Sequence, residues 1–485
     1  MRQGKVHYYL VGIKGTGMAS LAVLLSKKGI EVGGCDTIER FSTDALLKQS
    51  SIPVDEGFSP ALLSPDCDMV IYSSAYPPGL PILQKALQYK IPCFSYPQYL
   101  AQLSRLQDSY AVAGTHGKTT TCSVAAHLLK HATNGEFPFY ALYGSQPVGS
   151  TEFPYFGDQC ALFEACEYQD HFLSYQFRGV LVTSIDWDHP DYFPSVQAVV
   201  ESFRKLVDRL EKGGILVVCA DDRKARELGA YAAANRPDLT VVEYGFAAAG
   251  PFRILKGESN RFSLSGAPTC TFLPTVRSEA LVNDHVGALV LSVCMLLDRP
   301  QPKLYLDDAV TVTDEVVPTL VSLLAPSLET YPGVVGRTEE LFVEQGIVYL
   351  DDYAHHPREI AVSLQQLSLR YPNHKQLVIF CPHTASRTKA FLPEFINALS
   401  QADAIIIQPT YASARKDVDP SQDPAHLVAS GLQAKGRWVA FVEDEETCIR
   451  TAQSRLQEDW LCITMGAGNN RFLGPRIAAL HRSFT

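Results

Sequence analysis

The chain has 485 residues, 46% of them hydrophobic and 19% charged, with 52 acidic against 42 basic side chains and a formal charge of −10. That length predicts about three domains of an ordinary globular class. The absence of basic runs and of arginine–aromatic alternation excludes a nucleic-acid partner. The twelve cysteines form no Cys-x-x-Cys pair and read as reduced, buried thiols of a cytoplasmic protein. The amino-terminus has no signal-peptide layout, and no apolar stretch reaches the roughly 18 residues of a membrane span. The longest, Ala288–Leu297, is too short, so no membrane partner is expected.

In chain order, residues 1–107 alternate between strand and helix patterns. The strand Val6–Ile13 runs into glycines and then a helical stretch, Met18–Lys28. Further strands are read at Met69–Ser73 and Ile91–Tyr96. Such alternation predicts a parallel sheet covered by helices. A second unit, 108–330, opens with the strand Tyr110–Ala113 and carries strands at Ala161–Glu164, Val180–Ile185 and Ile215–Cys219. Between about 245 and 330 the pattern weakens, broken by Pro268, Pro274 and Pro318, and an irregular edge is expected there. The third unit, 331–485, has strands at Ile347–Leu350, Gln376–Phe380, Ala404–Gln408, Trp438–Val442 and Trp460–Met465.

The strongest local signal is Gly114-Thr115-His116-Gly117-Lys118-Thr119-Thr120, between a strand and the helical run Ser123–His131. Glycines let backbone N–H groups approach phosphates, a lysine neutralises them, and the Thr119 hydroxyl can ligate Mg2+. The spacing is tighter than in the usual phosphate loop, whose first glycine would fall at Val112. Gly12, Gly15 and Gly17 form a second loop of this kind. It has Lys14 where a dinucleotide fingerprint has glycine, and Asp36 near the expected acidic position. Glu164-Ala165-Cys166-Glu167 and Asp186-Trp187-Asp188-His189 follow two strands of the central unit, and oxygen donors with an imidazole suit a hard cation bridging phosphates. Asp351–Pro357 and Pro382–Arg387 follow two strands of the third unit and mark a further ligand face.

In this order, the stretches Gly12–Met18, Gly114–Thr120, Glu164–Tyr168, His171–Tyr175, Asp188–Phe193, Asp351–Ile360, Pro382–Thr388 and Gly466–Gly468 resemble the Mur ligase family. The resemblance spans nearly the whole chain. It implies an α/β protein of three domains: a Rossmann-like UDP-sugar-binding domain (1–107), a central P-loop ATPase domain (108–330) and a carboxy-terminal Rossmann-like domain (331–485). It further implies cytoplasmic peptidoglycan precursor synthesis, in which ATP and Mg2+ drive the joining of L-alanine to UDP-N-acetylmuramate through an acyl phosphate. The protein is expected as a monomer or weak dimer. A muropeptide-recycling ligase and a non-catalytic UDP-sugar-binding paralogue are the alternatives.

Carried over by position, Lys118 holds the ATP phosphates, with Gly114, Thr115, His116, Gly117, Thr119 and Thr120 around it. Thr119, Glu164 and His189 surround Mg2+. Arg337 and Asp352 contact ATP, while His355, His383 and Arg387 line the amino-acid site. Gly12, Gly15, Gly17 and Asp36 hold the UDP-sugar. Four positions depart from the family pattern: Ser184 and Leu289 stand where asparagines are usual, Gly336 replaces an arginine, and Asn469 an aspartate. The first two bear on nucleotide contacts.

Overall fold

Five short strands, β1 (His7–Val11), β2 (Glu31–Asp36), β3 (Val54–Glu56), β4 (Met69–Tyr72) and β5 (Cys93–Ser95), form a parallel sheet in the order β3-β2-β1-β4-β5. The chain leaves β1 in both directions, so its carboxyl end is a switch point where a ligand crevice opens. Gly12–Gly17 sits there, before the helix Thr16–Lys27. The computed structural model describes residues 6–149, 155–298, 316–411, 422–468 and 470–481.

The central sheet has β6 (Asp108–Ala113), β7 (Phe139–Leu142), β8 (Cys160–Glu164), β9 (Gly179–Val182), β10 (Ile215–Cys219) and β11 (Thr240–Tyr244). Its order is β11-β10-β9-β6-β8-β7, all parallel. Here the switch point is β6, and the phosphate-loop motif lies at its carboxyl end, before the helix Lys118–Ala132. A parallel sheet is covered on both faces, so β7, β9 and β10 are buried along their whole length.

Residues 299–315 lie outside the described residues, and over the rest the expectation of an irregular edge between 245 and 330 is overturned. A three-stranded antiparallel sheet occupies it, β12 (Ile254–Lys256), β13 (Phe262–Leu264) and β14 (Ala267–Phe272), followed by a helix at Glu279–Leu297 and another at Val316–Leu324. The prolines misled. Pro268 sits on β14, which among the described residues pairs only with β13, where an edge strand tolerates a missing N–H; Pro318 lies in the first turn of its helix, where no N–H is needed. The Glu279–Leu297 helix has 19 residues, and an 18-residue window of it has a mean hydropathy of 1.8, long and apolar enough to cross a membrane, which corrects the shorter stretch read from sequence. It is instead buried without a break from His285 to Leu296, as a core helix.

The last sheet holds β15 (Glu339–Glu344), β16 (Ile347–Asp352), β17 (Lys375–Cys381), β18 (Ala404–Ile407), β19 (Trp438–Phe441) and β20 (Trp460–Gly466). Its order is β15-β16-β20-β17-β18-β19, parallel except for β15. Alternate residues feed two cores. Val348 and Leu350 pack with Ile360 and Phe395 on one face, and Tyr349 with Ile449 and Ile477 on the other.

The chain divides into two compact units. The first comprises Met1–Asp186, Val196–Thr275 and Val282–Pro332; the second comprises Trp187–Ser195, Val276–Leu281 and Gly333–Thr485. The loop carrying Asp188 and His189, read from sequence as part of the central unit, therefore belongs with the carboxy-terminal sheet. Trp187 shows why: its ring packs edge-on against Phe391, with centroids 5.0 Å apart.

Candidate functional site

In the first unit, three neighbouring strand ends build a phosphate loop. Thr115 N–H donates to the Ser184 carbonyl at 2.8 Å, and His116 N–H donates to the Ser184 hydroxyl at 3.2 Å. Ser184 thus tethers the loop to the end of β9, a role the sequence reading did not assign it. Gly117, at φ +79°, turns the chain into the helix; a Cβ there would meet an Asp284 carboxylate oxygen at 2.4 Å. Lys118 Nζ donates to the carbonyls of Gly114 (2.6 Å) and Thr115 (2.9 Å) and to Glu167 (3.0 Å). Thr119 is buried and its hydroxyl donates to Glu164 at 2.9 Å, whereas Thr120 is half-buried in the same first turn. His116 Nε2 stands 3.7 Å from Asp186.

The second glycine loop lies close to this one. Gly144 N–H donates to Glu164 Oε2 at 2.8 Å, and a Cβ on Gly144 would be 3.6 Å from the Thr16 hydroxyl at the head of the helix Thr16–Lys27. The Ser20 hydroxyl of that helix donates to the Tyr143 carbonyl at 3.0 Å. Gly12 and Gly17 abut Tyr76 and Tyr96, and Gly15 lies between them in the loop. Asp36 is buried and accepts from Lys14 N–H (2.7 Å), Thr37 N–H (2.8 Å) and the Tyr76 hydroxyl (3.0 Å). Its oxygens are used by the protein itself, so it shapes the loop.

Among the described residues no group of three or more His, Cys, Asp or Glu side chains stands ready for a metal ion. Thr119 and Glu164 do offer oxygens at a helix amino-terminus. Mg2+ accepts such a site, because it takes few protein ligands and completes its shell with phosphate and water.

The second unit gathers a different cluster. Arg387 is 3% exposed and grips Asp188 with two hydrogen bonds, Nε to Oδ1 at 2.8 Å and Nη2 to Oδ2 at 3.1 Å. Its Nη1 lies 3.3 Å from His383 Nδ1, which must accept because a guanidinium only donates. Burial by itself would raise the Asp188 pKa, but Arg387, His189 and His356 outweigh it and hold the carboxyl far below its usual range. His189 has φ +52°, and its Nε2 is 3.7 Å from Asp188. His355 and His383 stack edge to face at 5.4 Å, and Tyr353 flanks both.

Burial pushes the His355 imidazole down to about 4, against a weaker upward pull from Glu359. Its Nδ1 lies 2.8 Å from the Tyr353 carbonyl and so carries the proton of the neutral ring. A depressed histidine favours the fold above its unfolded pKa of about 6.5 and loses that contribution as pH falls toward 4. A 15N-histidine NMR titration is expected to place this ring's transition near 4; a midpoint at the ordinary histidine value would refute its neutral state. Burial raises Asp351 the opposite way, to about 6, so its contribution is present at low pH and fades as pH rises through that value.

Arg337 lies over the Tyr353 ring at 5.4 Å. Asp352 is buried and accepts from Thr338 N–H, Ala354 N–H and the Ser363 hydroxyl, while burial raises its pKa. Gly336 has φ +70°, a conformation that glycine adopts more readily than the arginine usual there. Leu289 is fully buried in the Glu279–Leu297 helix, where an aliphatic side chain packs as core. Asn469 lies outside the described residues. Asp188 and Glu167 lie in the two acidic stretches read from sequence as oxygen donors, but their partners, Arg387 and Lys118, come only from the packing.

Three family models match in succession: the Mur ligase family catalytic domain over residues 7–108, the Mur ligase middle domain over 112–268, and the Mur ligase glutamate ligase domain over 336–468. A UDP-N-acetylmuramate–L-alanine ligase of Treponema pallidum is 34% identical over 477 residues, 97% of this chain and 95% of its own. One from Borreliella burgdorferi is 32% identical over 481 residues, covering 96% and 97%. Among solved structures, the UDP-N-acetylmuramate–alanine ligase of Thermotoga maritima superposes with a TM-score of 0.76 at 22% identity, over 99% of this chain and 100% of that one. The murein peptide ligase of Psychrobacter arcticus gives 0.70 at 18% identity, over 98% of each. At these identities the two structures speak for the fold.

Proposed function

The chain belongs to the Mur ligase family, and from that premise we propose that it joins L-alanine to UDP-N-acetylmuramate with ATP, in the cytoplasm, as a step of peptidoglycan precursor synthesis. Full-length identity to relatives carrying that name supports the reaction. The observation in this structure that carries it is the proximity of two phosphate-type loops: Gly144 donates to Glu164 beside one and lies next to Thr16 of the other. A sugar nucleotide on one loop and ATP on the other bring a carboxylate toward a γ-phosphate.

The carboxylate attacks that phosphorus and ADP leaves, giving an acyl phosphate. The amine of alanine then attacks the acyl carbon and phosphate departs. Lys118 faces the charge of the transferring phosphoryl group, and the Thr115 and His116 backbones keep its loop in place. Thr119 and Glu164 would hold Mg2+, which when bound offsets phosphate charge. In the second unit, Arg387, His383 and His355 supply a cation and two imidazoles suited to an amino acid's carboxylate and amine.

Phosphate release with UDP-N-acetylmuramate and one amino acid at a time tests this. Release is expected with L-alanine at a higher kcat/KM than with glycine or L-serine, and none once the divalent ion is chelated. Release that requires a peptide would make the chain a recycling ligase. Sugar binding without release under any condition would make it a non-catalytic paralogue.

A further inference from the structure

An ammonium has three donors and no acceptor, and all three of Lys118 have partners within the protein: Gly114 O, Thr115 O and Glu167 Oε2. A phosphate oxygen can reach this nitrogen only by replacing one of them. Two are carbonyls of the loop itself. The third is a carboxylate, the partner that carries the same sign of charge as phosphate.

Glu167 is 1% exposed, and its Oε1 has no hydrogen-bond partner. It is anchored by a tight turn in which Gln169 (φ +54°) and Asp170 (φ +56°) are successive left-handed residues, with Asp170 N–H on the Glu167 carbonyl at 2.9 Å. That turn fixes the main chain from which the carboxylate reaches Lys118. If Lys118 turns to a nucleotide, Glu167 is left as a buried charge without its cation, and such a group is strongly unfavourable. A divalent cation entering with the phosphates removes the penalty.

We propose that Glu167 is a positioning residue that holds Lys118 away from bare nucleotide and releases it to the metal-complexed nucleotide, so the loop selects the latter. This rests on the reading of Gly114–Thr120 as the ATP site. Glu167 acts through Lys118 alone.

The test is calorimetry of ADP, with Mg2+ and with chelator, on the full chain and on Glu167→Gln, Lys118→Met and the double variant. The Glu167→Gln change is expected to tighten metal-free ADP about tenfold and to narrow the gap between metal-bound and metal-free affinity. In the Lys118→Met background the same change should do neither. An unchanged gap in Glu167→Gln, or an equal shift in both backgrounds, overturns the proposal. ADP binding that Lys118→Met leaves untouched instead sinks the assignment of the loop. Should Glu167→Gln alone not fold, thermal unfolding decides. Lys118→Met is expected to lower the Tm and the double variant to regain it, and equal Tm values for the two would refute the coupling.

Discussion

Replacing Lys118 by alanine is expected to reduce ligase kcat by about 10³-fold or more, while UDP-N-acetylmuramate still binds. The size follows from the lysine's place at the head of the helix Lys118–Ala132, where it is the loop's only cationic side chain apart from any charge on His116. Binding of the sugar nucleotide survives because its diphosphate is assigned to the loop after β1, on another sheet. The variant also leaves Glu167 as a buried carboxylate without its cation, since the two side chains are only 13% and 2% exposed. Loss of one member of such a pair costs about 3 kcal/mol, so the Tm should fall together with turnover. Single-turnover phosphate release, sugar-nucleotide calorimetry and thermal unfolding check the three parts. A kcat within tenfold of the parent, or loss of sugar-nucleotide affinity, would overturn the assignment.

The other large effect belongs to the second unit. Arg387→Ala should destabilise it by about 3–5 kcal/mol, because it strands the buried Asp188 carboxylate. The side chains of the pair are 4% and 7% exposed, so solvent screens neither. Arg387→Lys should recover part of the loss, since an ammonium keeps the charge but cannot make the two-pronged contact. The pH dependence has a defined sign. Asp188 is held far below its usual range, so its stabilisation is intact above the unfolded value of about 3.9 and is lost only as pH falls below that. Urea unfolding of the three proteins from pH 8 down to about pH 2 measures this, with the loss confined to the acid end. A midpoint unchanged in Arg387→Ala would show that the pair contributes nothing to the fold.

Much of the scaffold was legible beforehand. The parallel strands are continuous apolar runs bounded by glycine and acidic residues, and both glycine loops announce themselves by following such a run. The strands at 110, 161, 215, 347, 376 and 460 were readable for that reason. What was missed has a local cause in each case. The Glu279–Leu297 helix begins with polar residues and therefore looked too short. The small sheet at 254–272 contains a proline that only its edge position excuses.

Side-chain roles divide along the same line. Residue type and order alone pointed to phosphate chemistry at Gly114–Thr120, and to acid, imidazole and guanidinium at Asp352, His355, His383 and Arg387, because those groups carry their chemistry wherever they stand. Their partners depend on which strand ends become neighbours. Asp188 and Arg387 are 199 residues apart in the chain and meet through two hydrogen bonds. Asp36, by contrast, has its oxygens drawn inward by Lys14, Thr37 and Tyr76. Glu167 became the counter-ion of Lys118 only because β6 and β8 lie side by side. Charge pairing falls off over a few ångströms, so the sequence by itself determined which groups are present and the packing of the sheets decided which of them act together.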